Sequence, residues 1–107
     1  MPILQINFKL NVSADEYASA CQGVVQAIAD VAGLRWKIWI LNEQEKEAGG
    51  IYFFDTEQAL SDYLSGPIVA QLKIHPALRD VTAKRFHVME ELTSATRGPV
   101  SAMAAAQ

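Results

Sequence analysis

The chain has 107 residues, a net charge of −3 and a 50% share of hydrophobic residues. That length sets a single domain as the expectation, with apolar mass for one core and little to spare for a large pocket, so a second copy adding buried surface is expected. The acidic balance argues against nucleic acid, whose phosphates need a basic patch. The lone Cys21 rules out an internal disulfide or a Cys-rich zinc site and reads as a small buried hydrophobe.

The opening "MPILQINFKL" has no basic segment followed by a long apolar one, so it does not read as a signal peptide. No run reaches the ~18 apolar residues of a membrane span. A soluble, cytoplasmic protein is the expectation. Residues 3–10 alternate, with Leu4, Ile6, Phe8 and Leu10 on one side and Gln5, Asn7 and Lys9 on the other, which predicts a strand with one apolar face. Ser13 with Glu16 three positions on is a capping box. Tyr17, Ala20, Cys21, Val24, Ile28 and Val31 then form one helical stripe that Gly33 ends.

Residues 34–41 alternate again. Leu34, Trp36, Ile38 and Ile40 share one face, and Arg35, Lys37, Trp39 and Leu41 the other. A polar loop, "NEQEKEAG", leads to a third strand from Gly50 to Phe54, and the two strands read as a hairpin. Asp55 or Thr56 caps a helix carrying Leu60, Tyr63 and Leu64; Gly66-Pro67 breaks it, and a short helix with Ile68, Val69, Leu72 and Ile74 stops before Pro76. Residues 81–89 predict a fourth strand. The domain is expected over 1–93, with 94–107 a small, Ala-rich tail that is a weak helix, disordered, or draped on a neighbouring subunit.

The order β-α-β-β-α-(α)-β is the ferredoxin-like arrangement, an α+β fold with helices on one face of a four-stranded antiparallel sheet. The apolar faces of the first two strands are expected to meet the helices. Trp36, Phe53, Tyr63 and Phe86 would then sit on the helix side, and Trp39, Tyr52 and Phe54, with Arg85 and His87, on the open face. An open face this rich in aromatics predicts a partner. A second copy across a two-fold axis would make a dimeric α+β barrel, a homodimer.

Together "GLRWKIW" at 33–39, "EAGGIYFF" at 47–54, "EQALSDYL" at 57–64 and "AKRFHVMEEL" at 83–92 resemble the YdhR-like putative mono-oxygenase family of the dimeric α+β barrel superfamily, in order from about residue 3 to residue 93. The resemblance implies a homodimer with a cavity between sheet and helices. It also implies a cofactor-independent mono-oxygenase acting on a small aromatic or polycyclic substrate, with no cofactor. A non-catalytic ligand-binding or interaction module and an isomerase or cyclase remain alternatives, since the fold does not fix the chemistry. Some relatives present a polar residue from the first strand, and Asn7 falls near that place.

Such an oxygenase needs an apolar pocket, a proton acceptor or donors that steady an anion, and aromatic walls. The candidate walls are Trp36, Trp39, Tyr52, Phe53, Tyr63 and Phe86, each of which could equally be core or dimer packing. The catalytic candidates are Lys84, on an otherwise apolar row with Phe86 and Val88; His75, a base or haem ligand unless it is a surface helix-end histidine; and Asn7. Two histidines without H-x-x-x-H or H-E-x-x-H spacing argue against a metal. Glu47, beside Gly49-Gly50, is expected to pair with Arg35, Lys37 or a basic residue of the second copy. Ile51 and Phe53 are expected toward the helices, and Tyr52 and Phe54 toward the second copy.

Overall fold

A computed structural model describes residues 1–100. The elements are β1 (Pro2–Leu10), α1 (Ala14–Gln22), α2 (Val25–Ala29), β2 (Leu34–Asn42), β3 (Glu47–Phe54), α3 (Glu57–Leu64), α4 (Pro67–Ile74), β4 (Leu78–His87) and α5 (Glu90–Ala95). The four strands form one sheet in the order β2-β3-β1-β4, and every neighbouring pair is antiparallel. This is the expected ferredoxin-like α+β fold. None of the described helices is long and apolar enough to cross a membrane.

The caps set the helix starts. Ser13 Oγ accepts the Glu16 N–H at 3.1 Å, and Thr56 Oγ1 accepts the Ala59 N–H at 3.1 Å, each satisfying an otherwise orphaned donor. Pro67 opens α4, where its missing N–H costs nothing. The single helix expected between Ser13 and Gly33 is two segments. Gly23, a poor helix former, closes α1 with its N–H on the Ala20 carbonyl at 3.1 Å, and α2 restarts after Val24.

β1 alternates as its sequence dictates: Pro2, Leu4, Ile6, Phe8 and Leu10 are all buried under the helices. They join Tyr52, Phe54, Leu60, Tyr63 and Val69 in one core. The other strands depart from expectation, and cross-strand partners give the reason, since residues directly opposite share a face. Tyr52 lies opposite Leu4, and Gly50 opposite Ile6, so Tyr52 and Phe54 face the helices while Ile51 and Phe53 face away. Arg85 lies opposite Leu4 and Phe86 opposite Ile3, so Arg85 faces the helices and Lys84 and Phe86 face away.

In β2 the cause is a bulge. Leu34 lies opposite Phe54, yet Trp36, two residues on, lies opposite Phe53, so Arg35 is the extra residue. The bulge moves Trp36, Ile38 and Ile40 to the open face and turns Lys37, half-buried, and Trp39, 38% exposed, to the helix side. Arg35 itself bonds Asp55, with its guanidinium 5.3 Å from the Phe53 ring centroid.

The chain after β4 folds back onto its own sheet. α5 leads to Pro99, whose carbonyl accepts the Trp36 indole N–H at 2.9 Å, and Val100 is buried. Trp36, with its ring 5.3 Å from that of Phe53 between centroids, and Arg35 lie against Phe53, which is completely buried on the face away from the core helices. The remainder of the expected tail, 101–107, lies outside the described residues.

The two adjacent glycines have separate reasons. A Cβ on Gly49 would stand 1.9 Å from the Ile6 carbonyl oxygen of β1, a backbone atom that cannot yield without moving the strand. A Cβ on Gly50 would stand 2.5 Å from Lys37 Cε. Gly49→Ala is therefore expected to separate the two central strands and to lower the unfolding free energy in urea by at least about 1–3 kcal/mol, the usual scale of overpacking. An unchanged midpoint would show that β1 and β3 are not held this closely.

Candidate functional site

The helix layer does not cover the sheet completely. Between α1, α2 and α4 on one side and β1, β2 and β4 on the other lies a cavity of about 390 Å³, in the range of small-molecule sites. Its walls are mostly apolar: Phe8 and Tyr17, whose rings meet edge-on at 5.7 Å between centroids, then Ala20, Val24, Ile28, Trp39, Ile68, Leu72 and Leu78. Polar atoms are few: Glu16 and Gln71, the Cys21 thiol, His75 and Lys37.

Lys37 is the unusual member. The bulge at Arg35 turns it inward, and Gly50 leaves room for its stem to cross β3. Its Nζ lies 3.4 Å from the Trp39 ring centroid and 4.7 Å from that of Tyr52, so two aromatic faces stabilise the ammonium. Among the described residues it makes no ion pair; the carboxylates in ion pairs are Glu47, Asp55, Asp80 and Glu57, all engaged with other cations. Glu16 lines the cavity, and its carboxylate reaches back to Ser13 Oγ at 3.5 Å as part of the cap. Burial pushes the Lys37 ammonium down from its ordinary 10.5 to about 8, partly opposed by the charge of the neighbouring Cys21.

The tyrosines around it are held neutral. Burial raises Tyr52 well above the ordinary phenol value, with the charge of and hydrogen bond from Tyr63 adding to it; Tyr63 donates to the Tyr52 hydroxyl oxygen at 3.2 Å. Burial raises Tyr63 as well. Tyr17 is raised by burial and by its hydrogen bond with Cys21. Cys21 is half-exposed on the cavity wall rather than buried in the core.

Of the residues nominated from sequence, Trp39 and His75 line this cavity. His75 stands at its exposed rim and accepts the Ala77 N–H on Nδ1 at 3.1 Å, which leaves Nε2 to carry the proton of the neutral ring. Tyr52 and Tyr63 are core, with Tyr52 forming the floor beneath Lys37. Trp36, Phe53, Phe86 and Lys84 lie on the opposite face, away from the cavity. Asn7 lies there too, in a polar row: Gln5 Nε2 donates to Asn7 Oδ1 at 2.9 Å, and Asn7 Nδ2 donates to Glu47 at 3.4 Å. The partner of Glu47 is Lys9 at 3.0 Å, directly opposite on β1, rather than Arg35 or Lys37. Arg85 and His87 turn to α3 instead of a second copy, where both meet Glu57, at 3.2 and 3.6 Å. No three His, Cys, Asp or Glu among the described residues converge as metal ligands.

The residue missed from sequence is Lys37. A lysine between two tryptophans in a strand is an available signal, but only the bulge decides which way it points.

The folded protein holds Lys37 neutral above about 8, whereas the unfolded chain holds it charged until about 10.5. Between those values the unfolded state binds the extra proton, so this group makes stability rise with pH; below about 8 both states are charged and the cost of burying the charge is fully present. The difference in urea midpoint between wild type and Lys37→Met is expected to move in favour of wild type from about pH 7.5 to about pH 10. A flat difference would place Nζ in water.

The sequence matches the family described as putative mono-oxygenase ydhR over residues 3–99. No protein in the curated set matches it in sequence. Solved structures similar in fold include SnoaB, a cofactor-independent oxygenase from Streptomyces nogalater, at 14% identity and a TM-score of 0.64, covering 81% of this chain and 92% of that one. A protein of Deinococcus radiodurans described as a putative antibiotic biosynthesis monooxygenase is 18% identical, with a TM-score of 0.64 over 82% of this chain and 92% of its own. MhuD, a haem-degrader from Mycobacterium tuberculosis with two haems in its active site, is 14% identical, with a TM-score of 0.64 over 81% and 95%. At these identities the three share the fold, while the match over nearly the whole length is what assigns membership: the chain belongs to the family described as putative mono-oxygenase ydhR.

Proposed function

We propose that the protein is a cofactor-independent mono-oxygenase of a small aromatic or polycyclic molecule, which it binds in the cavity between sheet and helices. The observation that carries this reading is the cavity itself: about 390 Å³ of mostly apolar space with an aromatic wall and one cationic amine inside. The family and the likeness in fold to a cofactor-independent oxygenase support it.

The substrate supplies the electrons. An acidic C–H of an electron-rich ring system loses its proton to the protein, and the resulting carbanion passes one electron to dioxygen. The two radicals combine as a peroxide anion, which takes the proton back from the protein to become a hydroperoxide and then eliminates water to leave a carbonyl. One oxygen atom enters the product, the other leaves as water, and the substrate CH₂ is oxidised to C=O. The chain's part is to exclude water, stack the rings against Trp39 and Tyr17, and offset the developing negative charge.

The homodimer belongs to the same proposal. The open face carries Ile38 and Phe86, each about half exposed at 48% and 49%, beside the polar row of Gln5, Asn7 and Lys9. A second copy related by a two-fold axis would cover both, sheet against sheet.

Oxygen uptake with a panel of anthrone- and hydroquinone-like compounds tests the reaction. Uptake is expected with stoichiometric carbonyl product, and Trp39→Ala is expected to lower kcat/KM by about tenfold or more, given the ~1.4 kcal/mol that one lost aromatic contact carries. Glu47→Ala, on the opposite face, is expected to leave it unchanged. Binding of these compounds without uptake would make the protein a ligand-binding module. Sedimentation at micromolar concentration is expected to give a dimer; a monomer would remove the two-sheet barrel.

A further inference from the structure

We propose that Lys37 makes the cavity selective for planar aromatic acids bound as their monoanions, with a phenolate or enolate oxygen seated beside Nζ where no carboxylate of the described residues stands. This deepens the reading of the cavity as the substrate site and rests on it.

Lys37 has no carboxylate partner among the described residues, and the charge of Cys21 offsets the desolvation of its ammonium only in part. A buried ammonium ordinarily sits beside a carboxylate, because desolvation without a counter-ion is costly. Here the chain keeps a half-buried cation in mostly apolar surroundings and spends Gly50 to fit its stem. The groups that face it from every packed element are Tyr52 on β3, Trp39 on its own strand, Tyr17, Cys21 and Glu16 on α1, and His75 after α4. The tyrosines stay neutral, Glu16 is drawn to the helix cap, and His75 is at the rim with Nδ1 already engaged. The two aromatic faces offer only the diffuse negative potential of their π clouds. A neutral ligand of the same shape would take up the space and strip the remaining water from Nζ with no return. An anion of one charge would replace that water and find the counter-charge ready.

The proton balance works from either side. A ligand that arrives ionised meets the ammonium directly. One that arrives as the neutral phenol or enol gives its O–H proton to the amine lone pair. Both routes end in the same ammonium–oxyanion pair, and nothing is oxidised. Lysine suits this exchange better than arginine, whose guanidinium does not deprotonate.

The probe is 4-nitro-1-naphthol, which is ionised at neutral pH and coloured as its anion, set against its O-methyl ether, which is planar, nearly the same size and neutral. Binding is followed by the naphtholate absorption and, for both compounds, by protection of Cys21 from thiol alkylation. At pH 7 the naphtholate is expected to bind about tenfold or more tightly than the ether, a difference of about 1.4 kcal/mol. Lys37→Met is expected to bring the two within about twofold, and Lys37→Arg to keep the preference. In the wild type the preference is expected to decline toward pH 10, because the probe's charge is constant there and only the protein titrates. Equal binding of the two compounds at pH 7, no binding of either, or a preference that survives Lys37→Met would each overturn the proposal. Should Lys37→Met fail to fold, the wild-type pair at pH 7 and pH 10 decides alone.

Oxygen uptake is a separate reading of the same site. A charge preference without uptake leaves this proposal standing and removes the oxygenase. Uptake from uncharged substrates that Lys37→Met leaves intact does the reverse.

Discussion

The architecture turns on how closely β3 approaches its neighbours. Gly49 brings the backbone of β3 against the Ile6 carbonyl of β1, and Gly50 leaves an open strip across which the Lys37 side chain lies. A side chain at either place would displace something: the central strand pair in one case, the lysine in the other. The core can then close over Tyr52 and Phe54 while a cation is threaded beside it. The segment "EAGGIYFF" thus sets the spacing of the sheet centre, the floor of the cavity and the room for its charge.

The two faces of the sheet follow from that arrangement and differ in chemistry. The helix face is a dense core that thins toward one end into the cavity. The other face combines the Gln5–Asn7–Glu47–Lys9 row with the exposed apolar groups Ile38 and Phe86, and the returning chain after α5 meets Trp36 through the Pro99 carbonyl. The ion pairs on this molecule are exposed or half-exposed and contribute little to stability, about 0–1 kcal/mol each. Their work is to fix register: Lys9 with Glu47 aligns β1 on β3, and Arg85 with Glu57 ties β4 to α3.

The secondary structure was largely legible because it rests on local chemistry. The caps at Ser13 and Thr56, the break at Gly66-Pro67 and the alternation of β1 each act within a few residues. The facing of the other strands was not. β2 carries large apolar residues on both sides, so alternation alone cannot say which side is inner, and one extra residue at Arg35 inverts all that follows. After Glu47 and Ala48, β3 offers only glycines, Ile51 and aromatics, again apolar on both faces. Alternation alone therefore puts Trp36, Phe53 and Phe86 on the helix side and Trp39, Tyr52 and Phe54 on the outside, whereas the register places them the other way round. Trp39 and His75 were nominated for their chemistry alone and do stand on the cavity; Lys37, the residue with the most unusual surroundings, was hidden by the bulge.

A lysine in that position works against the fold, and this is the clearest mark of its purpose. Replacing buried charges by apolar side chains of similar volume is often neutral or stabilising, and Lys37 is a half-buried charge. A protein needing only a stable sheet has no reason to hold an ammonium against Trp39 and Tyr52 with no carboxylate beside it. The glycine that accommodates the stem adds a second cost, since glycine weakens a strand interior. Both costs fall at the mostly apolar cavity, and the aromatic faces of Trp39 and Tyr52 offset the first only in part. On the proposal that an anion enters the cavity, that ligand supplies the rest, which makes residues 37 and 50 a single unit: the strip over Gly50 is what lets the ammonium stand there.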